Sequence, residues 1–219
     1  DAYALDFSKH AESKDIPRIT SIWNSIPSQL AKENRKFVYK MVKPGARARD
    51  YEDALLWLEN AGLIYRIFCC TKPYLPLKSY DDLSAFKIYI SDIGLLRELA
   101  GLPPEAVLAG SAIYTEFKGA LAENYILQSL VCQLEVLPRY WTSIGKAEVD
   151  FVVQLDMNII PVEVKSDTRI GGKSLSVYDS IYHPAYKIRY SLNNLKKDDN
   201  LINIPLYLAD WTIKLVALQ

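Results

Sequence analysis

No stretch of the 219-residue sequence stays apolar for the roughly 18 to 20 residues a membrane span needs, so no transmembrane helix is predicted. The polar opening DAYALDFSKHAESKD has no hydrophobic signal core and reads as the interior of a longer protein. A charge of one sign is also missing. Lys and Arg number 26, and Asp and Glu number 26, so no overall field draws the chain to nucleic acid or anionic lipid, and any such contact must come from a local patch. Cysteine is scarce: Cys69, Cys70 and Cys132 show no C-x-x-C spacing, and the adjacent pair would point to opposite faces of a strand. All three read as small buried hydrophobes in a reducing cytoplasm. Histidine is scarcer still, and His10 and His183 stand in contexts too different to predict a metal site or a triad. What remains is a soluble, cytoplasmic chain whose residues are 50% hydrophobic, enough for one sizeable core or two small ones.

The order of elements predicts two domains, 1–104 and 105–219. In the first, Ile16, Ile19, Ile22, Trp23 and Ile26 recur at helical spacing, and Pro27 suits the first turn of a second, short helix over PSQLAKEN. FVYKMV, residues 37–42, is rich in strand formers, and Lys43-Pro44-Gly45 punctuates the chain. ARARDYEDALLWLENAGL places Tyr51, Leu55, Leu58 and Ala61 on one helical face, with Gly62 as its stop. LIYRIFCC reads as a strand, KPYLPLKSYDD as a Pro-rich hairpin or wing, and residues 86–90 as the returning strand. A capped helix from Ser91, ended by Gly101, and LPPEAV as a linker complete a winged-helix order.

The second half opens on a long helix, residues 111–135, whose Ile113, Phe117, Leu121, Ile126 and Leu130 give it a broad apolar side. Strands follow at 137–142, 149–155 and 159–165, then a Gly-containing loop, a helix over 173–182, and strands at 186–192 and 204–209. The fold class is α/β, or α+β for the whole chain, without internal repeats.

The chemistry is concentrated in AEVDFVVQLDMNIIPVEVKS, residues 147–166. Asp150 lies early in one apolar strand, and Glu163 and Lys165 lie late in the next, where alternation puts these two on one face. A hairpin brings Asp150 beside them. Carboxylates inside otherwise apolar strands are costly unless they pair or bind a cation. Two carboxylates, with the Val164 carbonyl, would supply hard oxygens to Mg²⁺, and Lys165 would orient or deprotonate a metal-bound water for phosphodiester hydrolysis. Glu123, in GALAENYIL, is the candidate third carboxylate. E-x-K by itself is also the pattern of a surface ion pair contributing about 0 to 1 kcal/mol. Glu116 reads as solvated, Trp141 as core, and Ser143 and Lys146 as loop residues that could line a phosphate path.

Gly171-Gly172-Lys173-Ser174 looks like the end of a phosphate-binding loop, but Asp167 stands where that loop needs its first glycine, so no ATP site is predicted in this chain. Lys173 remains a candidate contact to a nucleic-acid backbone. Lys36, Lys40, Lys43, Arg47 and Arg49 precede the best helix, where a winged helix meets phosphates. Asp50, Glu52 and Asp53 dilute that charge, and a protein-docking face is the alternative.

At Asp150 and Glu163-Val164-Lys165 the sequence resembles the PD-(D/E)XK nuclease superfamily, although no proline precedes Asp150. ARARDYEDALLWLENAGLIYR, GALAENYILQSL, YWTSIGKAEVDFVV and IIPVEVKS, in that order, resemble a large prokaryotic family of AAA-type ATPases. In that family a P-loop domain precedes a winged helix and a C-terminal domain of unknown function with a restriction-endonuclease-like fold. The resemblance implies an upstream P-loop ATPase domain of the same protein, nucleic acid as a partner, and Asp150 and Glu163 as Mg²⁺ ligands with Lys165 and Glu123 in the catalytic set. The alternative is an inactive nuclease-like fold used for DNA or protein recognition. The two readings differ at one place: an ion between Asp150 and Glu163 favours the enzyme, a lysine or arginine there the recognition module.

Overall fold

A computed structural model describes residues 7–32, 35–108, 115–145, 147–168 and 171–218, without the side chains of 107, 108, 115 and 116. The chain forms two compact units, one of Asp1–Arg66 with Lys87–Phe117 and one of Ile67–Phe86 with Lys118–Gln219. They interleave along the sequence, because Cys70 and Leu77 of the hairpin region pack into the core of the second unit.

In the first unit α1 (Ile16–Leu30) buries Ile19, Ile22, Trp23, Ile26 and Leu30. The expected break at Pro27 does not occur. Proline inside a helix costs about 3 kcal/mol, but Ile26 and Leu30 are 0% and 1% exposed, and burying such side chains is worth about 1.5 to 3 kcal/mol each. Residues 37–42 are not a strand either: α2 is a single turn, Tyr39–Val42. The Gln29 amide occupies the place of a partner strand, donating from Nε2 to the Val38 carbonyl at 3.0 Å and accepting the Val38 N–H at 3.0 Å. The best-patterned helix is α3 (Ala48–Asn60), with Tyr51, Ala54, Leu55 and Leu58 inward. Gly62 ends it at φ +68°, in the left-handed region, and the Leu63 N–H donates back to the Leu58 carbonyl at 3.1 Å.

Strands β1 (Ile64–Cys70) and β2 (Asp81–Ile90) follow. On β1 the nearly buried Arg66 is gripped by Glu52 and Glu59 of α3, the latter at 2.8 Å. Helix α4 (Ile93–Leu99) is capped by Asp92 rather than Ser91, with the Asp92 carboxylate accepting the Leu95 N–H at 2.9 Å. Residues expected to form the linker make a short helix, α5 (Pro104–Leu108).

The second unit is carried by α6 (Thr115–Val131), which buries Ala120, Leu121, Ile126, Leu127 and Leu130. The expected helix start at 111, and Ile113, lie outside the described residues. Beyond it come β3 (Arg139–Thr142), β4 (Glu148–Leu155), β5 (Asn158–Val164), α7 (Ser174–Tyr182), β6 (Lys187–Ser191), β7 (Lys196–Asp198), β8 (Leu201–Pro205) and α8 (Thr212–Ala217). The strands form a mixed sheet in the order β2-β1-β3-β4-β5-β6-β8-β7. β3, β4 and β5 pair antiparallel, whereas β5, β6 and β8 are parallel. The switch follows from the connections: a tight turn at Asp156 joins β4 to β5, while α7 carries the chain back between β5 and β6. The strand expected at 204–209 lies earlier, because Pro205 cannot donate to a ladder and the chain continues into a 3-10 turn, Leu206–Trp211.

Phe151, Val162, Ile188 and Ile202, aligned across four strands, are at most 1% exposed. Cys69 and Cys70 are buried, but Cys132 is exposed, unlike the expectation for all three; all are free thiols. No helix among the described residues is long and apolar enough to cross a membrane.

Candidate functional site

Register decides which charges meet. The antiparallel ladder pairs Phe151 with Val162, so the next position along sets Asp150 opposite Glu163. The parallel ladder pairs Glu163 with Arg189, and Arg189 with Asn203. Residues opposite one another share a face, so Asp150, Glu163, Arg189 and Asn203 form a polar row across β4, β5, β6 and β8. The adjacent row, Phe151 to Ile202, turns to the other face and is apolar.

Glu163 is the centre of this row and is only 3% exposed. Its Oε2 accepts from Arg189 Nε at 3.1 Å, and its Oε1 lies 3.1 Å from Lys165 Nζ. Lys165 follows the last residue of β5, and its backbone N–H donates to the Tyr190 carbonyl at 2.9 Å. Its side chain is 30% exposed, whereas that of Arg189 is 11% exposed. Asp150, half-buried, accepts the Val164 N–H on Oδ2 at 2.8 Å. The loop before α7 closes the last side: a Cβ on Gly172 would stand 2.5 Å from Glu163 Oε1, so the backbone there is seated against the carboxylate. Glu163 is therefore paired with two cations, while Asp150 is held to the backbone beside it.

Asp150, Glu163 and Lys165 are thus brought together as the sequence predicts. Glu123 is buried on α6 at 1% exposure. Among the described residues, no group of three or more Asp, Glu, His or Cys side chains is arranged to hold a metal. Lys173 is exposed at the N-terminal cap of α7, where its carbonyl accepts the Val177 N–H at 2.9 Å. Trp141 is core, 3% exposed and edge-to-face with Tyr178 at 5.2 Å. Ser143 is committed to its turn, its hydroxyl accepting the N–H groups of Gly145 and Ala147 at 3.1 and 2.9 Å. Lys146 lies outside the described residues. His10 and His183 are both exposed, and His183 ends α7 at φ +47°.

In the first unit, Lys40 on α2 and Lys43, Arg47 and Arg49 after it are all exposed. Arg49 has Asp50 at 3.7 Å, while Lys40, Lys43 and Arg47 make no ion pair among the described residues. Glu52, expected to dilute this patch, is turned to Arg66.

Arg189 was not singled out from the sequence, and Gly172 was read only as part of a loop resembling a phosphate-binding one. Arginine in KIRYS is the same conflict, a charge in an apolar strand, that marked Asp150 and Glu163. Gly172 carried no such signal, since only the fold shows what its missing side chain makes room for.

Residues 1–106 match a family described as Domain of unknown function (DUF8612), and residues 118–208 match one described as Domain of unknown function (DUF4143). No curated protein matches the chain. A solved structure that is similar to it is the crystal structure of protein VC1899 from Vibrio cholerae, at 13% identity and a TM-score of 0.30. That likeness covers 94% of this chain and 55% of the other, so the chain spans about half the length of the solved protein.

Proposed function

We propose that the second unit is a nuclease-like α/β module without hydrolytic function, serving with a winged-helix-like first unit to recognise DNA in an ATPase-associated chain. The observation that carries this reading is the engagement of Glu163 on both oxygens, by Arg189 Nε and Lys165 Nζ, each at 3.1 Å. Magnesium takes hard oxygen ligands at about 2.0 to 2.1 Å in a near-octahedral shell. Here the more buried carboxylate presents neither oxygen unpaired, a guanidinium stands beside it, and one oxygen of Asp150 is bound to the Val164 N–H. A dication placed there would be repelled by the cations already present. The residues do not fit the ion.

Recognition is supported by the exposed Lys40, Lys43 and Arg47, which precede α3, and Arg49 in its first turn, at the place where a winged helix meets phosphates. The ATPase-associated setting is the one that the sequence resemblance implies.

The test is thermal melting with and without millimolar Mn²⁺, together with a DNA cleavage assay. The expected result is an unchanged melting temperature and intact DNA. A rise of several degrees that Asp150→Asn abolishes, or metal-dependent cleavage lost in Lys165→Ala, would restore the enzyme reading.

A further inference from the structure

The loop 71–80, between β1 and β2, has little freedom and yet puts an aromatic ring into water. Its base is closed by Thr71, whose N–H and hydroxyl both donate to the Tyr80 carbonyl, at 2.8 and 3.1 Å. Its middle is pinned to the second unit: Leu77 is fully buried, and its N–H donates to Gln154 Oε1 of β4 at 3.0 Å. Pro73 and Pro76 each fix one more backbone angle. Tyr74 nevertheless stands 51% exposed. Its ring meets Tyr80 edge to face at 6.0 Å and Tyr182 of α7 at 6.1 Å, and Tyr182 in turn meets Trp141 at 5.7 Å and Tyr178 at 4.9 Å. A chain of rings thus runs from the buried Trp141 and Tyr178 out to Tyr74, which its neighbours hold on two sides. Lys72 and Lys78 flank that ring in the loop, and both are exposed and make no ion pair among the described residues. The acids that follow do not offset them, since Asp81 is turned to Arg139 and Asp82 to Ser84.

We infer that Tyr74 is a stacking platform for a base of single-stranded DNA, with Lys72 and Lys78 holding the phosphates on either side. The inference deepens, and rests on, the reading that the chain recognises DNA. Every base has a flat face that an aromatic ring can take, and the strand's phosphates bring the negative charge that these two lysines lack. Because the ring is already held in place, binding costs little further ordering. A proline-rich peptide also suits an aromatic surface, but it would leave both lysines without a counter-charge, so the strand is the better occupant. A duplex keeps its bases stacked inside and offers Tyr74 no face. Duplex contact therefore stays with Lys40, Lys43, Arg47 and Arg49 of the first unit.

The experiment follows the fluorescence anisotropy of a labelled oligothymidylate, an abasic strand of equal length and a duplex. Each is titrated with wild type, Tyr74→Phe, Tyr74→Leu and the double variant Lys72→Glu with Lys78→Glu. Tyr74→Phe keeps the ring and should bind the oligothymidylate within about twofold of wild type, whereas Tyr74→Leu keeps bulk without a π face and should lose at least about fivefold. The abasic strand should bind wild type more weakly by a similar factor and should not distinguish Tyr74→Leu from wild type. The double lysine change should weaken the oligothymidylate and flatten its salt dependence by about 0.7 per lysine. Duplex binding should be the same in wild type and Tyr74→Leu. A Tyr74→Leu that holds the oligothymidylate as wild type does, or a wild type that binds it no better than the abasic strand, overturns the platform and leaves the proposed function standing. A wild type that binds the oligothymidylate through Tyr74 but takes up no duplex overturns the proposed role of the first unit instead. If Tyr74→Leu does not fold, the preference of wild type for the oligothymidylate over the abasic strand and the loss in the double lysine variant decide in its place.

Discussion

The buried phenols and thiols in this fold are tuned by burial more than by their neighbours, and alkaline pH exposes the effect. Tyr39 is pushed up to about 12, first by burial and then by the Glu52 carboxylate, and Cys70 is pushed up to about 12, first by burial and then by Cys69. Tyr140, Tyr178 and Tyr190 are raised as well, in each case chiefly by burial. A raised value means that the folded state favours the protonated form, so the associated stability is complete below the ordinary values of 9.0 for the thiol and 10.0 for the phenol. It is lost as pH climbs through the folded values. Circular dichroism should therefore show an intact fold to about pH 10 and cooperative unfolding over the next two pH units, with buried phenols ionising only as the fold opens. Phenolate absorbance from every tyrosine rising together near pH 10, with the dichroism unchanged, would contradict this account. At this scale the sequence revealed Asp150, Glu163 and Lys165, because charge conflicts visibly with an apolar strand. It did not reveal their counterpart, since Arg189 lies 26 positions beyond Glu163 and only the parallel register joins them.

Elements were legible where one pattern dominated and obscure where a single side chain overruled it. The apolar face of α3 and its glycine stop are plain in ARDYEDALLWLEN and Gly62, and the alternation in EVDFVVQL marks β4. Residues 37–42 failed as a strand because the Gln29 amide, nine positions away, satisfies the Val38 backbone. The charged β7 gave no strand signal, for Lys196, Lys197 and Asp198 form an exposed edge that needs only its ladder to β8. Two substitutions separate these causes. Gly62→Ala meets no atom within 4 Å, so its cost, about 1 kcal/mol, should be the left-handed backbone alone. Gln29→Ala removes both bonds to Val38 and should cost about 1 to 3 kcal/mol. Urea denaturation measures both, and a neutral Gln29→Ala would mean that the turn at Tyr39–Val42 is held by its own residues.

For the molecule as a whole, charge balance sets the character of any DNA contact. With 26 charges of each sign, attraction has to be local, and the proposed reading assigns it to Lys40, Lys43, Arg47 and Arg49. Four phosphate contacts imply that the logarithm of affinity falls against the logarithm of salt with a slope of at most about −3.6. Gel shifts at several salt concentrations should find weak, sequence-independent binding, and each Lys→Glu or Arg→Glu change at these positions should flatten the slope by about one. A quadruple reversal that leaves affinity untouched would assign this face to a protein partner. The thiols carry a different consequence for the whole chain. Cys69 and Cys70 are shut inside the second unit with raised values, while Cys132, just past the end of α6, faces solvent. Near neutral pH a maleimide dye should add once, at Cys132, so these 219 residues already offer a single attachment point for a spectroscopic probe, with none of their three cysteines to remove.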